Sequence, residues 1–386
     1  MILLDQPYVS DYLLSTIQKY NFEVVKTAVA VSLVGKHDIN WISESDAIQK
    51  LENNKSQKLY SNSENAIAWV DQNLQRTSLP EKVNVFKDKV KFRKLIQHLF
   101  PDYYFKGIAL DKLKDLDVSK VPFPFIIKPS VGFFSLVVYR VDTKDEWKDT
   151  LLAIQNEMDE VSHLYPSEVM SPKDFIIEQV IEGEEYAMDV YYKNGKPIIL
   201  NIMHHIFSSG KDVSDRIYTT SKEIIETNMS SFEAFLSELP KLVNLEGFPI
   251  HVEVRVENGK VIPIEVNPMR FGGWCTTGDI SGFAFGINSY EYFLNEKAPD
   301  WNTILNDVDD KRYSLVTLNN NSGIDVDQIS NFDYESVVND FSNVLELRKI
   351  DINEFPLFGY MFVQTDANTQ NELDRILVSN LQEYIS

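Results

Sequence analysis

At 386 residues the chain exceeds the usual size of one domain, and its 58 acidic against 37 basic side chains leave a net charge of −21, a field that repels phosphate backbones and anionic lipid headgroups. Nucleic acid and membranes are thereby excluded as main partners, whereas a bound nucleotide is not, because a pocket holds phosphates with a few local cations or N–H groups. The lone Cys275 rules out a disulfide scaffold or cysteine-held metal cluster, the 44% apolar share supplies a large core, and no apolar run nears about 18 residues. The N-terminus MILLDQPYVSDYLL shows no charged leader, so the cytoplasm is the expected location.

The chain opens with a strand at Ile2 to Leu4, a helix from about Ser10 to Lys19 and a second apolar run, read as a strand, from Phe22 to Ala30. KLYSNS and the helix-like ENAIAWVDQNLQ complete a small α/β layer over residues 1–86. From Lys87, DKVKFRKLIQHLF predicts a helix with one buried stripe and one basic face, stopped by Pro101. The strands FIIKPS and LVVYRV follow around a short loop, then an amphipathic helix from about Lys144 to Val161.

Residues 174–202 give two long strand patterns turned at Asn194-Gly195, and IHVEVRVENGKVIPIEVN gives a second hairpin turned at Asn258-Gly259. Between them Lys211 to Thr220 reads as loop and Ser230 to Leu242 as helix. RFGGWCTTGDISGFAFG is Gly-rich, and INSYEYFLNE is helix-like. The tail predicts strand SLVTLN, a helix around Tyr334 to Phe341, strands VLELRKI and FGYMFVQT, and a final helix from NELDRILVSNLQEY.

The second hairpin carries the chemistry. Period-2 alternation puts Glu265 and Asn267 on one strand face, and the hairpin brings Glu253 opposite them, converging two carboxylates and an amide oxygen. Such oxygens suit magnesium together with substrate phosphates. Alternating charges also suit a solvated strand face, but that reading leaves the following Gly272-Gly273 turn without a purpose.

FIIKPS, IIEQVIEGEEYAMDV and HVEVRVENGKVIPIEVNP, in that order, resemble the ATP-grasp ligases over Lys87 to Asn295. The resemblance implies an α/β (α+β) ATP-grasp fold with a small N-terminal α/β domain (residues 1–86), a nucleotide- and metal-binding region (87–300) and a C-terminal α/β subdomain (301–386). It implies Lys89, with Lys91 as the alternative, and Lys128 at the ATP phosphates, and Ser130 and Ser135 in the loop that wraps them. Glu178, Val180 and Ile181 resemble the adenine-binding hinge, and Glu185, with Glu184 as the register alternative, the ribose-binding carboxylate. An uninterrupted strand would set Glu178 and Glu185 on opposite faces, which a break near Glu182-Gly183 would resolve. Glu253, Glu265 and Asn267 resemble the ligands of two Mg2+ ions, with Mn2+ as a substitute.

Two features depart from the family pattern. The phosphate loop SVGFFSLVV holds only Gly132 and carries Phe133 and Phe134 where small residues are usual, and Met269 stands where arginine is expected, with Arg270 one position later. Arg270, Arg255 and Arg216 are the candidate catalytic arginines, suited by their planar forks to phosphate and carboxylate oxygens. Of His204 and His205 at most one faces a cleft. The implied activity is ATP-dependent carboxylate–amine ligation through an acyl phosphate, acting on small-molecule acids and amines, with a homodimer compatible. An acid–thiol ligase, a carboxylase component and a non-catalytic nucleotide-binding protein are the alternatives.

Overall fold

The computed structural model describes residues 1–132, 137–161, 174–209 and 214–386. Three sheets organise them: a four-stranded parallel sheet in the N-terminal segment, an eight-stranded sheet, and a four-stranded sheet built by Phe105–Ala109, Asp174–Gln179, Phe125–Pro129 and Tyr139–Val141. Helices cover the layers, giving the mixed α/β architecture expected.

In the first sheet Ile2–Leu3 pairs in parallel with both Val24–Val25 and Tyr60–Ser61. The apolar run from Phe22 to Ala30 is not one strand: the Thr27 side chain accepts from the Ala30 N–H and starts the helix Ala28–Val34, a local cap that overrides the β-branched composition. Met1 to Leu4 share one apolar core with Val252 and Val266 of the large sheet, and with Phe293. The small sheet has its own core around Phe125, Trp147 and Phe175.

Both Asn-Gly turns form as expected. Asn194 and Gly195 take φ of 54° and 70°, and Asn258 and Gly259 take 52° and 78°, the paired positive values that a two-residue hairpin with right-handed twist requires. The long pattern ahead of the first turn breaks at Gly183, where φ is +96° and a Cβ would overlap the Val256 carbonyl oxygen. Asp174–Gln179 therefore belongs to the small sheet, and Glu184–Lys193 to the large one.

The stretch read as loop from Lys211 to Thr220 contains the strand Ile217–Ser221, which bridges Lys196–Ile206 and Arg312–Asn319. The division expected after residue 300 thus falls inside a continuous sheet. The helix expected from Ser230 begins earlier, at Lys222, because the Ser221 side chain accepts from the Ile224 N–H, and it runs to Leu236. The Gly-rich segment contains the helix Thr276–Phe285. Among the described residues no helix is long and apolar enough to cross a membrane.

Candidate active site

A cavity of about 940 Å³ lies between the small sheet and the large one and is bounded by residues from all three parts of the chain. On the hairpin, Glu253 pairs directly with Glu265 and His251 with Asn267, so the predicted convergence is present in the register. Asn267 Nδ2 donates to Glu265 Oε1 at 3.1 Å, and Lys89 Nζ stands 2.8 Å from Glu265 Oε2. Burial raises Glu265, but Lys89 and Lys128 outweigh it and hold the carboxyl well below its ordinary range. Glu253 moves up, through burial and then the facing Glu265 charge. Among the described residues no group of three or more His, Cys, Asp and Glu side chains converges as a metal cage. The donor set is instead two carboxylates and an amide, hard oxygens with an unfavourable like-charge pair, which fits magnesium shared with substrate phosphates.

The helix Lys89–Ile96 starts at Asp88, whose side chain accepts from the Val90 and Lys91 N–H groups. Its basic face is not a solvated face. Lys89 and Arg93, four residues apart, are buried toward the cavity, whereas Lys91 is 48% exposed and bonds Asn84. This geometry favours Lys89 over Lys91. Arg93 Nε ion-pairs with Glu178 Oε1, and Lys128 Nζ lies 2.9 Å from Glu178 Oε2. Burial pushes Glu178 up, but Arg93 and Lys128 leave its carboxyl below the ordinary value. Val180 and Ile181 follow in the cavity wall.

The break at Gly183 turns Glu185 inward. Glu185 is 11% exposed and accepts from His205 Nδ1 at 2.8 Å and Arg255 Nε at 2.9 Å, while Glu184 is 68% exposed and pairs with His204. Of the adjacent pair, His205 is therefore the one in the cavity wall. Arg255 also donates to the Ile181 carbonyl at 2.8 Å. His251 Nδ1 lies 2.8 Å from Asp189 Oδ1, and its pKa rises to about 9 because its bonds to Asp189 and Glu253 outweigh burial. Asp189 also accepts from the Gly272 N–H at 3.0 Å and Thr277 Oγ1 at 2.6 Å, tying the hairpin to the glycine turn. A Cβ at Gly272 would overlap Thr277, whereas Gly273 has open space.

Arg270 reaches the cavity despite its shifted position, since Met269 takes a left-handed backbone with φ 67°. Its Nε donates to Glu64 Oε1 at 3.1 Å, and Lys87 ion-pairs with Glu64 Oε2. Arg216 is placed elsewhere. It is 1% exposed and donates to the Thr317 and Ser379 carbonyls at 3.1 and 3.2 Å, in the packing of the C-terminal part rather than the cavity wall. Ser130 is also turned from the cleft, its hydroxyl donating to Asp88 Oδ1 at 2.5 Å. Ser135, with Phe133 and Phe134, lies outside the described residues.

Residues 121–278 match the family model of the ATP-grasp domain. The chain carries an ATP-grasp domain. The match runs from just before Lys128 to just past the glycine turn. The carbamoyl phosphate synthase large chain of Caldanaerobacter subterraneus is 27% identical over 191 residues, which is 49% of this chain and 16% of that one. The C-terminal section of the Methanocaldococcus jannaschii counterpart is 27% identical over 196 residues, 49% of this chain and 29% of that one. The aligned region thus spans less than a third of either relative. The L-amino acid ligase of Bacillus licheniformis superposes with a TM-score of 0.69 at 16% identity, covering 100% of this chain and 97% of that one. The N5-carboxyaminoimidazole ribonucleotide synthetase of Thermotoga maritima gives 0.61 at 12% identity, covering 100% and 98%. These two likenesses are of fold, and they cover the whole chain.

Four residues escaped the sequence reading: Arg93, Glu64, Lys87 and Asp189. Only Arg93 left a local signal, its four-residue spacing from Lys89.

Proposed function

We propose that the chain is an ATP-dependent carboxylate–amine ligase that forms an amide through an acyl phosphate, with ADP and phosphate as the other products. The observation that carries the reading is the alignment of cationic Lys89 and Lys128 with the carboxylates of Glu253 and Glu265 in one cleft. Cations that receive a triphosphate, beside oxygens that take its divalent ions, are what phosphoryl transfer by positioning and electrostatics requires. Magnesium, when bound, neutralises charge on the phosphate oxygens, and Glu253, Glu265 and Asn267 would hold it.

On this reading Lys89 and Lys128 bind the phosphates, with Gly132 of the loop beside them. Glu178, Val180 and Ile181 receive the adenine, and Glu185 the ribose hydroxyls. Arg270 and Arg255 orient the carboxylate that attacks the γ-phosphorus, and then hold the tetrahedral centre formed when the amine adds. The three-part organisation at 1–86, 87–300 and 301–386 belongs to the same reading, the last two parts sharing one sheet.

The test is ADP release by purified chain with ATP, magnesium and crossed libraries of small acids and amines. The reading expects ADP only when both partners are present, and its loss in Lys128→Ala and Glu265→Ala. Bound ATP without ADP in any combination would make the chain a nucleotide-binding protein instead, and dependence on a thiol or bicarbonate would move it to another ligation chemistry.

A further inference from the structure

Away from the cluster of cations the cavity changes character. One row of directly paired residues in the cavity lining crosses the large sheet in the order Arg255, Glu185, His205, Tyr218 and Leu315, ionic at one end and apolar at the other. Paired residues share a sheet face, so the row is a polarity gradient along the cavity wall. Trp274 packs over the apolar end, its ring centroid 4.8 Å from Phe355 and 5.6 Å from Tyr360; Leu315 and Leu357 line this compartment as well, and Thr317 and Asn319 add polar groups along the same strand. At the border stands the half-buried Asp215, whose Oδ1 accepts from Tyr218 Oη at 2.9 Å.

An aromatic and aliphatic wall gains free energy only from an apolar occupant, and a carboxylate fixed at its edge favours a cation there. We infer that, given the ligase reading, this compartment takes the apolar side chain of an α-amino acid whose ammonium pairs with Asp215 and whose carboxylate faces the cationic half, making that amino acid the acyl donor. An ammonium held by a carboxylate keeps its proton and has no lone pair, so it is not the nucleophile. Its own carboxylate oxygen bonds to the γ-phosphorus as the bond to the β-phosphate oxygen breaks, releasing ADP. The amine of a second substrate then adds to the acyl carbon, phosphate departs, and the amine loses a proton. The product carries the apolar residue first, with a free α-amine.

Calorimetry of the full chain with magnesium and a non-hydrolysable ATP analogue tests the compartment. Leucine and phenylalanine are expected to bind about tenfold or more tightly than N-acetyl-leucine or aspartate. Asp215→Asn should erase the preference for leucine over N-acetyl-leucine, and Phe355→Ala should weaken phenylalanine while keeping that preference. Tandem mass spectrometry of the product from leucine and glycine should read leucine-glycine. Equal binding of leucine and aspartate, unchanged discrimination in Asp215→Asn, or a glycine-leucine product would overturn the inference and leave the ligase reading standing. Selective leucine binding with no ADP formed from any acid and amine would uphold the compartment and defeat the ligase reading.

Discussion

Lys89 and Glu265, 176 positions apart in the chain, form a 2.8 Å ion pair inside the cleft. Each is the other's counter-charge in the absence of nucleotide: the carboxylate keeps the buried ammonium protonated, and the ammonium relieves the repulsion between Glu265 and the facing Glu253. A divalent cation and a phosphate can replace the two halves of this pair at once, so the resting cleft is already neutralised in the pattern its ligand would impose.

Removing Lys89 isolates that consequence. Lys89→Met leaves two opposed carboxylates without their cation, at a cost of roughly 3 kcal/mol. Its Tm should fall, and millimolar Mg2+ should restore more of it than the same Mg2+ adds to the wild type. An equal Mg2+ response in both proteins, measured by differential scanning calorimetry, would show that the carboxylates do not share the ion.

Glu64 gives the pH dependence of the fold. Burial raises its carboxyl, but Lys87 and Arg270 outweigh burial and hold it at about 2, against 4.5 unperturbed. A depressed carboxylate contributes stability that is complete above about 4.5 and is lost as the pH falls from there toward about 2, at about 1.4 kcal/mol per unit. Urea unfolding from pH 6 to pH 3.5 should therefore show a steeper loss for the wild type than for Glu64→Gln. Parallel curves would place the acid sensitivity elsewhere.

Gly183 separates the two strands that carry Glu178 and Glu185. Its φ of +96° and the Val256 carbonyl leave no room for a Cβ, so Gly183→Ala should lose about 2 kcal/mol or more. Because the backbone must shift between the two carboxylates, its KM for ATP should rise more than its kcat falls. Unchanged stability and KM would mean that the strand break tolerates a side chain.

Arg216 separates packing from chemistry. Its guanidinium serves the Thr317 and Ser379 carbonyls, so Arg216→Met should lower the unfolding free energy by about 2 to 4 kcal/mol. Arg270→Met, by contrast, leaves Glu64 with Lys87 in the cleft and should lower kcat/KM for the acid by more than tenfold at temperatures where the fold is intact. The reverse ranking would return Arg216 to the site.

Local chemistry made much of this molecule legible. The Asn-Gly turns marked both hairpins, period-2 alternation set Glu265 and Asn267 on one face, and the second hairpin brought Glu253 opposite them. What escaped depends on contacts that no window of sequence contains: Glu64 meets Arg270 across 206 positions, and Arg93 meets Glu178 across 85. Arg93 belongs to the basic face of its helix, and helical periodicity says which residues share a face but not what that face meets. Thr27 and Ser221 show the opposite limit, where single capping hydroxyls decided where strand pattern yields to helix.

The central claim is tested most directly by the fate of a carboxylate oxygen. With magnesium, ATP and a mixture of amino acids labelled with oxygen-18 in the α-carboxyl group, an acyl-phosphate ligase transfers one labelled oxygen to phosphate for each amide formed. The account predicts singly labelled phosphate in step with ADP and amide. Amide formed alongside unlabelled phosphate, or no consumption of ATP with any acid and amine, would contradict it.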